Sequence, residues 1–364
     1  MKRMKKVLAI LLAGAMTLSM AACGGEEPKK EETKKEDTKK EDTKEEATEK
    51  LDGTLKVVAT SDKYEPLFEK YTEDVGPKVE FISMSSGEVL SKVRAEGGKP
   101  AADLWFGGGI DAFMAAANDD LLEPVDFEAV KDLAPEYKDR DNKWFSKGLT
   151  IVGFIVNNDI LEEKNLEAPK TWDDLTKADY KEEILMSNPA ISGTNYAVVN
   201  ALLQKKGEDK GWKYFEELNK NIPYYAKRGS DPCTKTAAGE VAIGITYLDG
   251  TLEELEKENN VKIIYPKDGM PYVPEGVAAF KNSENIEAAK AFIKWLYSDD
   301  ENLKELAKID QKDTVAIIKP TMKGVEIGVN QDDLFDEDLV LFGENRESIL
   351  EKWTAMIGDK GGEE

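Results

Sequence analysis

Hydrophobic and polar positions divide the chain into three regimes. Val7 to Met20 is an apolar run behind a basic start, Met1-Lys2-Arg3-Met4-Lys5-Lys6. Gly24 to Asp52 is dominated by charge. From Gly53 onward, short β-branched runs alternate with stretches whose apolar residues recur at helical spacing, the pattern of an α/β protein.

Within the third regime, Thr54 to Thr60 predicts a strand ending in the polar turn Ser61-Asp62, and Leu67, Phe68 and Tyr71 give helical spacing from Lys63 onward. Val79 to Ser83 predicts a second strand, and Ser86 is the expected N-cap of the helix that follows. Ala102 to Phe106 predicts a third strand leading into a glycine turn, Gly107-Gly108-Gly109. Strand, helix, strand, helix, strand implies a parallel sheet, whose ligands bind beyond the carboxyl ends of its strands. Thr60, Ser61, Ser85 and the three glycines fall at such ends.

A second block opens with the apolar strand Ile151 to Asn158, long enough to cross between substructures. Thr171 with Asp173 and Asp174 reads as a capped helix start. Ile184 to Ser187 predicts a strand that feeds Ser192-Gly193-Thr194 and an apolar helix, Asn195 to Gln204. Further strands are expected at Glu240 to Tyr247 and Val261 to Tyr265. After Pro274 to Phe280 the chain is expected to return to the first block and end in helices, Ile286 to Tyr297 and Asn345 to Ile357.

The leader has distinct physical jobs: the basic start stays cytoplasmic, the apolar run enters the translocon, and small Ala21 and Ala22 admit a peptidase beside Cys23. Its roughly fourteen apolar or small residues fall short of the ~20 a membrane-spanning helix needs. The stretch resembles the bacterial lipoprotein signal, with Met20 in place of the usual leucine, which implies a lipidated Cys23 as mature N-terminus. Behind it, the unit Lys29-Lys30-Glu31-Glu32-Thr33 recurs at Lys34 to Thr38 and Lys39 to Thr43. With no apolar residue to bury, these repeats cannot offset their chain entropy, so residues 24–52 are expected to form a solvated tether.

Roughly 310 residues follow, enough for two lobes or one large α/β domain. A net charge of -23 argues against a nucleic-acid partner, which needs clustered Lys and Arg. The chain contains no histidine, which removes Ser-His-Asp and Cys-His nucleophilic schemes and HExxH metalloproteases together. With Cys23 lipidated, Cys233 has no partner for a disulfide.

Several stretches in order, Ala102 to Gly109, Pro169 to Leu175, Ser187-Asn188-Pro189 with Ser192-Gly193-Thr194, and Gly207 to Trp212, resemble type 2 periplasmic-binding proteins. These are the solute-capturing components of ABC importers, and the resemblance is close to the cluster containing ferric-iron, phosphonate and hexose-phosphate binders. With Glu275 to Ala278 and the Ala288 to Tyr297 helix, the resemblance covers nearly all of residues 54–357. It implies two α/β lobes, residues 53–155 plus 275–364 and residues 156–274, joined by a hinge with a ligand cleft between them. It also implies a monomer displayed on the extracellular face of the cell membrane, a permease as partner, and neither catalysis nor a cofactor or resident metal.

Ser192-Gly193-Thr194 is the strongest local ligand signal: glycine permits close backbone approach, while two hydroxyls and free helix N–H groups suit an anionic oxygen. Gly107, Gly108 and Gly109 offer N–H groups from the other side, with Thr60, Ser61 and Ser86 beside them. Arg228 suits a phosphate or carboxylate, Tyr247 and Asp249 sit just past a strand, and Glu275 can accept from sugar hydroxyls or an amine. Sugar-phosphate binders commonly carry histidine near the Ile245 to Asp249 position; here there is none. Tyr224-Tyr225 raises ferric iron as an alternative, although adjacent strand residues point to opposite faces. A surface adhesin or a carboxylate-based glycoside hydrolase are the other classes the residues leave open.

Overall fold

The parallel order expected for the first block is present in the computed structural model, which describes residues 50–324 and 328–361. The leader, Cys23 and nearly all of the tether lie outside the described residues. β1 (Thr54–Ala59) passes through a 3-10 turn into α1 (Glu65–Val75), which buries Leu67, Phe68 and Tyr71. β2 (Lys78–Ser83) is an edge strand, and α2 (Ser86–Ala95) follows. The cap of α2 is Ser85 rather than Ser86, because Ser85 and Glu88 have the spacing of a capping box and the Ser85 N–H donates to Glu88 Oε2 at 2.9 Å. Ser86 is thereby turned inward and buried. β3 (Leu104–Gly109) includes the three glycines, which were expected as a turn beyond it. Pairing with a later antiparallel strand reaches Gly109 opposite Glu275 and extends the ladder that far. α3 (Ile110–Asn118) begins at once.

After β4 (Leu122–Glu123), β5 (Phe145–Asn157) runs entirely buried and starts well before the expected Ile151. The cause is again tertiary, since a returning strand pairs Val277 with Phe145 and Gly276 with Ser146. The Asn157 side chain accepts from Asp159 and Ile160 N–H to start α4 (Asn158–Glu163). The helix expected after Thr171 is only a 3-10 turn, Asp173–Thr176. Its capping bonds form nonetheless: Thr171 Oγ1 accepts the Asp174 N–H at 3.2 Å, and Asp174 Oδ2 accepts the Lys170 N–H at 2.8 Å.

β6 (Ile184–Ser187) leads to α5 (Gly193–Lys206), buried on most faces, then α6 (Glu208–Asn221) and β7 (Tyr225–Ala226). α7 (Asp231–Ala237), β8 (Ile243–Leu248), α8 (Gly250–Glu258), β9 (Val261–Ile264) and β10 (Tyr272–Phe280) complete the middle of the chain. Strand order is β2-β1-β3-β10-β5-β8-β6-β7, with β4 on β10 and β9 on β5. Parallel pairs at each end flank the long antiparallel strands β10 and β5 at the centre.

α9 (Ile286–Ser298) covers the first half, setting Phe292 against Phe68, Tyr71 and Phe106. α10 (Asp300–Asp310) and α11 (Val315–Ile318) continue from it, followed by α12 (Val340–Glu344) and α13 (Arg346–Ile357). Trp353 of α13 packs edge-on to Phe215 and Tyr225, on elements of the second block, while Arg346 Nε donates to Asp111 Oδ2 at 2.9 Å in the first.

Candidate functional site

The carboxyl ends of β1 and β3 face the N-terminus of α5 and the end of β8 across a cleft of about 360 Å³. Thr60, Ser61, Ser86, Gly108 and Gly109 line it from the first block. Ser192, Gly193, Thr194, Arg228, Tyr247 and Asp249 line it from the second, and Glu275 from the central strand β10. Of the residues singled out in the sequence for holding an oxyanion-bearing solute, only Gly107 lies outside the lining. Its φ of +90° needs glycine, and a Cβ there would stand 2.4 Å from Thr60 Oγ1, so it sits directly behind that hydroxyl.

Ser192 is first of all a helix cap: its Oγ accepts the Asn195 N–H at 3.4 Å and Nδ2 at 3.2 Å. The N–H groups of Gly193 and Thr194, in the first turn of α5, have no helical acceptor and carry the positive end of the helix dipole. Beside them, Arg228 uses its main chain to hold its loop, donating N–H to Asp231 Oδ2 at 2.9 Å and accepting the Ser187 hydroxyl at 2.5 Å. Its guanidinium has no carboxylate within 4.0 Å among the described residues, so a lining cation is left for an anion. Asp249 caps α8, with Oδ1 accepting the Thr251 N–H at 3.0 Å.

Glu275 is not the free acceptor its sequence position suggested. Its Oε2 accepts from Lys147 Nζ at 2.7 Å and lies 3.5 Å from Lys312 Nζ. Burial pushes its carboxyl up, but Lys147 and Lys312 outweigh this and hold it at about 2. Lys147 also donates to Asp310 Oδ2 at 2.5 Å, and Asp310 receives the Tyr64 hydroxyl at 2.8 Å. Asp310, likewise raised by burial, is driven well below the carboxylate range by Lys147, Lys312 and Lys63. Burial works against the charge on Lys147, yet Asp310 and Glu275 raise it well above the usual lysine range. Lys63, Lys312 and Thr150 line the cleft and were missed in the sequence. The available signal was Lys147 itself, a single charge inside the otherwise apolar run around β5.

Tyr247 lies 3.9 Å from the sulfur of Cys233, whose thiol is buried and pushed up by that burial. Tyr224 and Tyr225 point apart, one to Glu240 at the surface and one under Trp353, and neither lines the cleft.

Residues 58–303 match the family of bacterial extracellular solute-binding proteins. The chain belongs to that family. An uncharacterised protein of Haemophilus influenzae is 31% identical over 312 residues, 82% of this chain and 88% of that one. A probable ABC transporter periplasmic-binding protein of Sinorhizobium fredii is 27% identical over 243 residues, 65% and 67% of the two chains. Among solved structures, the periplasmic binding protein AfuA of Actinobacillus pleuropneumoniae, with fructose-6-phosphate bound, aligns with a TM-score of 0.77 at 28% identity, covering 84% of this chain and 98% of that one. Iron-bound HitA of Pseudomonas aeruginosa aligns at 0.69 with 18% identity, covering 82% and 98%, which shows the shared fold alone. The solute-binding protein has the two-lobed type 2 periplasmic-binding fold and is the capturing component of an ABC importer.

Proposed function

We propose that the cleft captures a small organic phosphate or phosphonate and hands it to a membrane permease. The carrying observation is convergence: the free N–H groups of α5, an arginine without an ion pair among the described residues, and two cleft-facing lysines surround one cavity. Each feature favours an oxyanion, and Arg228 adds the planar fork that suits phosphate. The bound fructose-6-phosphate of AfuA, and a relative described as a putative 2-aminoethylphosphonate-binding protein that is 24% identical, support the same class.

Capture proceeds by closure of residues 156–274, which carry Trp353 of α13 on Phe215 and Tyr225, onto residues 53–155 and the returning chain from residue 275 through α12. Ligand contacts made to both lobes at once stabilise the closed state, so affinity comes from differential binding. No bond is broken. A lipid on Cys23 and the charged tether hold the monomeric binder at the outer face of the membrane, which metabolic labelling with palmitate checks.

Calorimetric titration with fructose-6-phosphate and 2-aminoethylphosphonate tests the ligand class. The double substitution Ser192→Ala and Thr194→Ala is expected to weaken binding about tenfold with the fold retained, because hydroxyl contacts to a charged ligand contribute about 1.5–3 kcal/mol and part of the cradle is backbone. Unchanged affinity would sink the cradle.

A further inference from the structure

Five alternating charges cross the floor of the cleft, and the middle one does not reach it. Lys63 Nζ lies 3.1 Å from Asp310, Asp310 receives Lys147, Lys147 also reaches Glu275, and Glu275 faces Lys312. Lys147 has 0% side-chain exposure and Asp310 5%, whereas Lys63, Glu275 and Lys312 line the cleft. Three lysines against two carboxylates leave one positive charge in excess, and it can surface only through Lys63 and Lys312.

Without Lys147, two buried carboxylates would have only Lys63 and Lys312 for counter-ions. Lys63, already 3.1 Å from Asp310, and Lys312, 3.5 Å from Glu275, would each become its carboxylate's one close counter-ion and be held there instead of sharing its charge with the cleft, since an unpaired buried charge is far more costly than an exposed one. The geometry points to Lys147 as a positioning residue for anion capture: by neutralising Asp310 and Glu275 from below, it leaves Lys63 and Lys312 available to the bound solute. This rests on reading the cleft as the solute site. The same two anchors hold the turn Asp310-Gln311-Lys312, where Gln311 has a φ of +53° and its carbonyl accepts the Gly250 N–H at 3.1 Å. Lys147 therefore also fixes the point at which this turn meets the start of α8.

The test compares Lys147→Met with Asp310→Asn in the full-length protein, titrated with fructose-6-phosphate and 2-aminoethylphosphonate alongside thermal unfolding. Lys147→Met is expected to weaken binding at least tenfold. Asp310→Asn, which removes a negative charge beside Lys63 and leaves Lys147 paired with Glu275, is expected to raise affinity severalfold. A merely structural role would make both variants less stable and weaken both alike, and that result overturns the proposal. The carboxyl ¹³C shift of Glu275 gives a readout without ligand: its titration should move upward in Lys147→Met. Identical Glu275 titration in that variant and the native protein overturns the assignment, and if Lys147→Met does not fold, affinity lost in Asp310→Asn does so. Native protein that binds neither probe instead rejects the ligand class, while the Glu275 titration still decides the role of Lys147.

Discussion

Gly193→Ala is expected to weaken solute binding by about 100-fold while leaving the thermal unfolding midpoint close to native. A Cβ at position 193 would stand 2.7 Å from the Gly109 nitrogen, 2.9 Å from its Cα and 3.0 Å from Ser86 Oγ. Two of these atoms are backbone, at the end of β3, and cannot rotate away. The neighbouring turn is equally close, with the Gly87 N–H donating to the Ile191 carbonyl at 3.2 Å. The start of α5 thus rests directly on the first block at the edge of the cleft, since Gly109, Ser86 and Gly193 all line it. Overpacking of this kind costs about 1–3 kcal/mol, and the upper end corresponds to about 100-fold in affinity. In a binder that closes on its solute the cost falls on the closed state, because separated lobes have room for the methyl. Calorimetry with thermal unfolding checks this: native affinity excludes closure through the Gly109–Gly193 contact, and a large fall in the unfolding midpoint shows that the contact belongs to the ligand-free fold.

The candidate site divides into a part written locally and a part written across the chain. Ser192-Gly193-Thr194 was legible because a strand, a glycine flanked by hydroxyls and a helix start are all contiguous in sequence, and the same holds for Thr60 and Ser61 after β1. Arg228 was visible only as a loop cation, since its lack of an ion pair among the described residues is a property of the folded surface. Lys147 was not legible as a site element, because its partners Glu275 and Asp310 are 128 and 163 residues away. The fold errors have the same origin. Ser86 and Ser85 compete as caps, and the side chain of Glu88 decides between them. β3 and β5 both run longer than their apolar patterns because β10 returns between them and extends their ladders. The pattern of α13 says that it buries one face, but only the structure supplies Phe215 and Tyr225 as the surface that receives Trp353.

Acid should first stabilise the protein and then unfold it. Asp111 is raised by burial against the pull of Arg346, and Glu337, mostly buried with the Tyr272 N–H at 3.2 Å, is raised well above its ordinary value. A carboxyl with a raised folded pKa penalises the folded state at neutral pH, and the penalty fades as pH falls towards its unfolded value. Self-repulsion from the net charge of -23 fades over the same range, towards the sequence pI of about 4.7. Glu275 has the opposite sign. Its pKa is lowered from 4.5 to about 2, so its contribution is fully present above 4.5 and is lost as pH falls through about 2. A difference of that size corresponds to about 3 kcal/mol at 1.36 kcal/mol per pKa unit, with Asp310 adding in the same direction. Urea unfolding from pH 7 to 2 should therefore show a stability maximum near pH 5 and a fall on the order of 3 kcal/mol below it. Glu275→Gln should make the acid limb shallower, since one fewer proton is taken up on unfolding there, and an acid limb as steep as the native one would remove Glu275 from the charge chain that holds the cleft floor.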